Sequence, residues 1–142
     1  MVDERTARSP VSRILIADDS APTRYALCRL IESHEGWEVC GEAADGADAV
    51  EQAARLTPDL VVLDLTMPHM NGFQAAEAIH AAAPDIPLLL FTLHTVDPAM
   101  VSKARSVGFK GAISKSSFET ILHGIETVLA GTPFFGMQPA AS

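Results

Sequence analysis

Four short runs of mostly apolar residues each end in a side chain that such runs ordinarily exclude. Asp18 and Asp19 close residues 14–17, Asp64 closes 60–63, Thr92 closes 88–91 and Lys115 closes 111–114. The runs 60–63 and 88–91 are apolar at every position, as a parallel strand covered on both faces requires. Helix-like stretches separate the runs, so the chain alternates strand and helix. Crossovers between parallel strands are right-handed in nearly all proteins, which predicts three layers: helix, sheet, helix. In open sheets of this kind the chemistry lies beyond the carboxyl ends of the strands. All five side chains would then crowd one edge. Like charges about 4 Å apart repel by roughly 4 kcal/mol at an effective dielectric of 20. Three carboxylates there cost stability unless a cation and the lysine sit among them, so they serve chemistry rather than folding.

The local signals give five strand–helix units. A strand over 13–17 precedes a helix with Ser20 as cap and Pro22 in its first turn. Leu27, Leu30, Ile31 and His34 fall on one face of that helix, and Gly36 ends it. A second strand covers 37–43, and Asp45 with Asp48 predicts a capping box for a helix to about Leu56, stopped by Pro58. After the strand at 60–64, a loop over 66–71 leads to a helix from about Gly72 to Ala83. Asp97 and Pro98 open the next helix, Gly108 closes it, and a short strand covers 111–114. Ser116 or Ser117 is expected to cap a final helix with Phe118, Ile121, Leu122, Ile125, Val128 and Leu129 on one stripe, stopped by Gly131.

With 142 residues, one domain is expected. We divide it into a flexible N-terminal segment (1–10), a folded domain (11–131) and a C-terminal tail (132–142). In that tail Phe134 and Phe135 form an exposed apolar pair unless the tail docks. The net charge of −8, with basic residues scattered, argues against direct binding of nucleic acid or an anionic membrane. Cys28 and Cys40 lack metal or redox spacing and read as reduced, buried thiols. No apolar run approaches the ~20 residues that span a bilayer, and residues 1–10 lack a signal core. A cytoplasmic location is expected.

Chemically, Asp19, Asp64 and a nearby backbone carbonyl suit a hard divalent cation, most plausibly Mg2+. Asp64 can then attack phosphorus and form an acyl phosphate, with the cation and Lys115 neutralising the phosphoryl oxygens. Thr92 can donate a hydrogen bond to the new group.

At this point the chain resembles the receiver domains of two-component response regulators. The residues that carry the resemblance are Ile16-Ala17-Asp18-Asp19-Ser20, Asp64-Leu65-Thr66-Met67-Pro68-His69-Met70-Asn71-Gly72, Thr92, and Lys115 after Gly111-Ala112-Ile113-Ser114. The resemblance runs from about Val11 to Gly131 and is nearest to the subfamily linked to helix-turn-helix domains. It implies a flavodoxin-like doubly wound α/β fold: a five-stranded parallel sheet of order 2-1-3-4-5 with five helices. It further implies that Asp64 accepts a phosphoryl group from a sensor histidine kinase or a phosphotransfer protein. Asp19 and the Thr66 carbonyl would ligate Mg2+ alongside Asp64, with Asp18 acting through water. Thr92 would be the switch hydroxyl, Lys115 the cation paired with the phosphoryl group, and residues 98–130 the surface read by a downstream protein, with a homodimer allowed. Such a chain catalyses only its own phosphorylation and dephosphorylation and is not otherwise an enzyme.

The pattern departs from the family at three positions. Ala112 stands where many receivers carry Tyr or Phe, which leaves a coupled threonine–aromatic switch without its ring. Leu93 is larger than the usual residue and would narrow access to Asp64, and Ser116 replaces a common proline. Thr66 and His94 occupy positions that tune attack of water on the phosphoryl group in the family. His34, His69, His80 and His123 read as surface residues, and Met67, Met70 and Met100 as packing. The alternative is a pseudo-receiver, a protein-interaction module not controlled by phosphorylation. An aspartate-nucleophile phosphohydrolase is disfavoured because Thr66 stands where that class carries a second acid.

Overall fold

The computed structural model describes residues 11–136. Its elements in chain order are β1 (Ser12–Ala17), α1 (Ala21–Glu32), β2 (Trp37–Ala43), α2 (Gly46–Leu56), β3 (Leu60–Leu63) and α3 (Gly72–Ala82). They continue with β4 (Leu88–Thr92), α4 (Pro98–Ser106), β5 (Phe109–Ser114), a 3-10 helix (Lys115–Thr120), α5 (Ile121–Leu129) and β6 (Phe134–Phe135). The strands pair in parallel in the order β2-β1-β3-β4-β5-β6.

Alternation along each strand sorts the apolar residues onto two faces. Ile14, Ile16, Leu60, Val62, Leu89 and Phe91 lie in one core with Leu27 and Ile31 of α1 and Ile121 and Ile125 of α5. Leu15, Ala17, Val61, Leu63, Leu88 and Leu90 lie in the other core, with the alanine-rich faces of α2, α3 and α4. Both faces are therefore covered, as the uninterrupted apolar runs require. Two bulges adjust the phase. Val39 pairs with Ile14 and Gly41 with Leu15, so Cys40 is the extra residue in β2. Phe109 pairs with Leu88 and Gly111 with Leu89, so Lys110 is the extra residue in β5.

Ser20, Asp45, Asn71 and Asp97 each accept a hydrogen bond from the amide three residues on, satisfying a free donor at a helix start. Several expectations need correction. The sheet has a sixth strand, because Phe134 and Phe135 pair with Gly111 and Ala112 instead of standing free. Asp45 and Asp48 form half a capping box: the Asp48 carboxylate accepts from Gln52, not from the Asp45 amide. Neither Ser116 nor Ser117 caps the last α-helix. Ser114 caps a 3-10 turn, Ser117 is non-helical, and α5 begins only at Ile121. Helix α1 ends at Glu32, and Gly36 at φ +88° turns the chain into β2. Cys28 and Cys40 are half-buried rather than buried, with no disulfide, and burial pushes the Cys28 thiol up to about 11. His34 and His80 are likewise half-buried, His34 stacked on Trp37. Met67 is buried, and Met70 and Met100 pack against the same core, as expected. The segment 1–10 and residues 137–142 lie outside the described residues. Among the described residues no helix is long and apolar enough to cross a membrane.

Leu63 is fully buried one residue before Asp64. Leu63→Ala is expected to lower unfolding free energy by about 2–5 kcal/mol, read from urea denaturation.

Candidate functional site

The strands that carry the reactive side chains end level with one another. Ala17 pairs with Leu63, and Thr92 pairs with Ser114. The next residues, Asp18, Asp64 and Lys115, therefore leave the sheet at one edge. β1 has β2 on one side and β3 on the other, so strand order reverses there and opens a crevice. Backbone bonds fix both acids: the Asp18 N–H donates to Ala43 O at 3.0 Å, and the Asp64 N–H to Ala17 O at 2.8 Å.

Asp18 and Asp64 are 1 % and 5 % exposed, and Asp19 points to solvent. One carboxylate oxygen from each of the three lies within 4.8 Å of the others. Lys115 Nζ stands 2.7 Å from Asp18 Oδ2 and 3.4 Å from Asp64 Oδ1. Asp18 Oδ2 nevertheless accepts no well-aligned hydrogen bond, so the 2.7 Å contact is an ion pair with a lone pair to spare. The other oxygen, Oδ1, accepts from the Ser20 N–H at 2.8 Å. Burial raises the Asp64 carboxyl from 3.8 to about 6; the Asp18 charge adds to this, Lys115 opposes it, and Asp19 contributes a smaller rise. A buried acid beside a second buried acid is a common origin of such a rise.

Four of the sequence-predicted residues, Asp18, Asp19, Asp64 and Lys115, thus converge. Thr92 is fully buried at the end of β4, and its Oγ1 accepts from the His94 N–H at 3.0 Å, which engages a lone pair and not the hydroxyl proton. Thr66 is exposed on the β3–α3 loop, where its Oγ1 lies 3.5 Å from His94 Nε2. Leu93 is 81 % exposed and lines a shallow cleft with Pro22, Phe91, Lys115 and Phe118. Ala112 is buried, and Phe135 of β6 lies next to it in register.

One supporting residue, Arg24, was missed, and the physical role of Gly72 was not read. Arg24 Nη1 donates to the Asp18 carbonyl at 2.6 Å while its Nε meets Glu42 at 3.3 Å, which ties α1 and β2 to the acidic turn. Its position one turn into the helix was the only available hint. Gly72 is required by space: a Cβ there would overlap the Asp64 carbonyl and lie 2.9 Å from Leu65 Cα. His69 takes φ +68° in the same loop, where the Met70 N–H donates to Pro68 O at 2.7 Å.

Hard carboxylate oxygens, one of them buried with an unused lone pair, fit a divalent cation of the Mg2+ class. The comparisons agree with this arrangement. A family model described as the response regulator receiver domain matches residues 14–126. The chain belongs to that family. It is 34% identical over 122 residues to the transcriptional regulatory protein YdfI of Bacillus subtilis, covering 85% of this chain and 56% of that protein. It is 44% identical over 87 residues to a protein-glutamate methylesterase/protein-glutamine glutaminase of Alkalilimnicola ehrlichii, covering 61% of this chain and 22% of that one. The receiver chain therefore spans little more than half of such relatives, or less. Among solved structures, a LuxR-family two-component response regulator from Aurantimonas sp. SI85-9A1 superposes with TM-score 0.82 at 35% identity, over 87% of this chain and 89% of that one. The signal receiver domain of NarL from Mycobacterium tuberculosis gives TM-score 0.81 at 31% identity, over 87% and 99%. These neighbours fit the helix-turn-helix-linked branch of the receivers, and the receiver sheet order 2-1-3-4-5 is present, extended here by β6.

A carboxyl held near 6 when folded and 3.8 when unfolded favours the native state fully below pH 4. That contribution is lost progressively as pH rises from about 4 through about 6, above which ionised Asp64 opposes folding in full. Asp64→Asn should therefore stabilise the metal-free protein at pH 7.5 by on the order of 2 kcal/mol. The gain should vanish towards pH 4 in paired thermal melts.

Gly72→Ala should displace the loop behind Asp64. A loss of roughly 1–3 kcal/mol in urea denaturation is expected.

Proposed function

We propose that this receiver takes a phosphoryl group onto Asp64 from a sensor histidine kinase or phosphotransfer protein, in a Mg2+-dependent reaction, and so controls binding of a downstream protein. One observation carries the reading: three carboxylates within 4.8 Å, two of them buried and both met by Lys115. Asp18, Asp19, Asp64 and the Thr66 carbonyl are the ligands in this reading. Bound Mg2+ supplies charge neutralisation at the phosphoryl oxygens.

The chain's own residues do the rest. An oxygen of ionised Asp64 attacks phosphorus, the phosphorus–nitrogen bond of the phosphohistidine breaks, and imidazole leaves with the electron pair and takes a proton from solvent. Lys115, already paired to both buried acids, turns to the equatorial oxygens as charge builds there. Thr92 keeps its hydroxyl proton for the acyl phosphate. Thr66 and His94 flank the mouth, where a water would approach. The receiver domain proper is 11–131, and the surface presented by α4, β5 and α5 is the output face. Location in the cytoplasm and regulation of a partner, rather than turnover of a small substrate, belong to the same reading.

Ala112 favours a second reading, a pseudo-receiver that binds partners without phosphate control, because that position offers no aromatic ring to follow Thr92. Incubation with acetyl phosphate and Mg2+ separates the two. Intact mass should rise by one phosphoryl group, and Asp64→Asn or excess chelator should abolish the rise. An unchanged mass with a competent donor favours the second reading. Lys115→Ala should slow uptake by roughly 10²-fold.

A further inference from the structure

Of the three clustered carboxylates, only two are held by side-chain contacts. Asp18 Oδ1 accepts from the Ser20 N–H, and Lys115 Nζ stands against both Asp18 and Asp64. Asp19 is exposed, and among the described residues nothing donates to its carboxylate. Its placement depends on the backbone that carries it. The peptide between Asp18 and Asp19 is planar, so whatever fixes the Asp18 carbonyl also fixes where Asp19 begins.

Strand β2 grips that stretch from two sides. Ala43 O accepts the Asp18 N–H at 3.0 Å. Its neighbour Glu42 acts through Arg24: Arg24 Nε donates to Glu42 Oε1 at 3.3 Å, and Arg24 Nη1 donates to the Asp18 carbonyl at 2.6 Å. Glu42 is anchored in turn. Buried Gln52 of α2 donates to the Glu42 carbonyl at 2.7 Å and to Asp48 Oδ2 at 2.8 Å. Gly41 leaves the space for it, since a Cβ there would stand 2.5 Å from Gln52 Oε1.

Arg24 does not serve its own helix. It is the fourth residue of α1, close to the positive end of the helix dipole, where a cation is disfavoured. Its side chain is 19 % exposed, so the guanidinium is largely withdrawn from water. Alone, that charge would stand one peptide away from a site that attracts cations. Paired with Glu42 it is neutralised, and what reaches Asp18 is a directed donor with little net charge behind it.

We propose that Arg24 and Glu42 form a charge-neutral clamp on the Asp18–Asp19 peptide, and that Arg24 is thereby a positioning residue for Asp19 as a ligand of a divalent cation. The inference rests on the reading that Asp18, Asp19 and Asp64 hold Mg2+. Without Arg24 the carbonyl loses its donor; without Glu42 the guanidinium is neither restrained nor compensated.

Calorimetric titration of Mg2+ into the whole chain tests the clamp, at about 0.15 M salt, where exposed charges beyond ~8 Å are largely screened. Arg24→Ala should weaken Mg2+ binding by about 10–100-fold, the range for residues that orient a metal ligand. Arg24→Lys keeps the charge without the forked donor and should recover part of that loss. Glu42→Gln should also weaken binding, and the double variant Arg24→Ala/Glu42→Gln should bind no worse than Arg24→Ala, because one device has been removed twice. In acetyl phosphate labelling read by intact mass, Arg24→Ala should need more Mg2+ for half-maximal rate yet reach the wild-type rate at saturation. A merely structural defect would lower that maximum. Wild type supplies a check that needs no variant to fold: the Arg24 Nε–H resonance should shift on addition of Mg2+ in step with the Asp19 amide. Unchanged affinity in Arg24→Ala, additive losses in the double variant, or an Arg24 Nε–H resonance that stays fixed while the Asp19 amide moves overturns the clamp and leaves the Mg2+ reading standing. Wild type with neither binding heat nor an Asp19 amide shift overturns both.

Discussion

The mutual repulsion of Asp18, Asp19 and Asp64 is the constraint on which the site depends. Their ligand oxygens lie within 4.8 Å of one another, two of the groups are buried, and no apolar packing can relieve the charge. Only something cationic can. Lys115 provides part of that relief, at 2.7 and 3.4 Å from the two buried acids. Burial first, and then the Asp18 charge, keep the Asp64 carboxyl raised despite Lys115. A site that is electrostatically unsatisfied at rest gains more from an incoming cation than a neutralised one would. The fold therefore has to hold the acids rigidly, and it does so with backbone. Adjacent strands set Asp18 and Asp64, Arg24 fastens the Asp18 carbonyl, and the absence of a side chain at Gly72 lets helix α3 start against the Asp64 peptide.

Much of this was legible from the chain because parallel sheets impose a strict pattern. Residues 60–63 and 88–91 had to be central strands, so the polar residues after them had to share an edge. Three helix starts were also readable from their caps, since Ser20, Asp45 and Asp97 act on amides three residues away. Other features depend on approaches distant in sequence, and no local signal carries them. The Gly46 contact with Met70 is of this kind. β6 was missed because two residues between Pro133 and Gly136 show no periodicity, and the missing side chain at Gly111 that makes room for Phe134 gives no local signal. The 3-10 turn after β5 escaped for a different reason. Phe118 continues the apolar stripe of α5, so the periodicity extends past the point where the α-helix begins.

The two faces of the sheet are built differently. α1 and α5 meet it through large aliphatic residues, whereas α2, α3 and α4 present mainly alanines. Alanine lets a helix lie close to a strand, and close packing couples the loops at the carboxyl edge to the helices that follow them. Thr66, Met67 and Thr92 all lead into that alanine-faced layer.

The bulge at Lys110 has a consequence for how this architecture tolerates length changes. Phe109 must stay in the core and Lys115 must reach Asp18, and a regular strand between them would have room for one residue fewer. The surplus residue bows outward into water, where it decouples the two requirements. An insertion or deletion at that spot alters how far the strand bows, while every residue downstream keeps its side of the sheet.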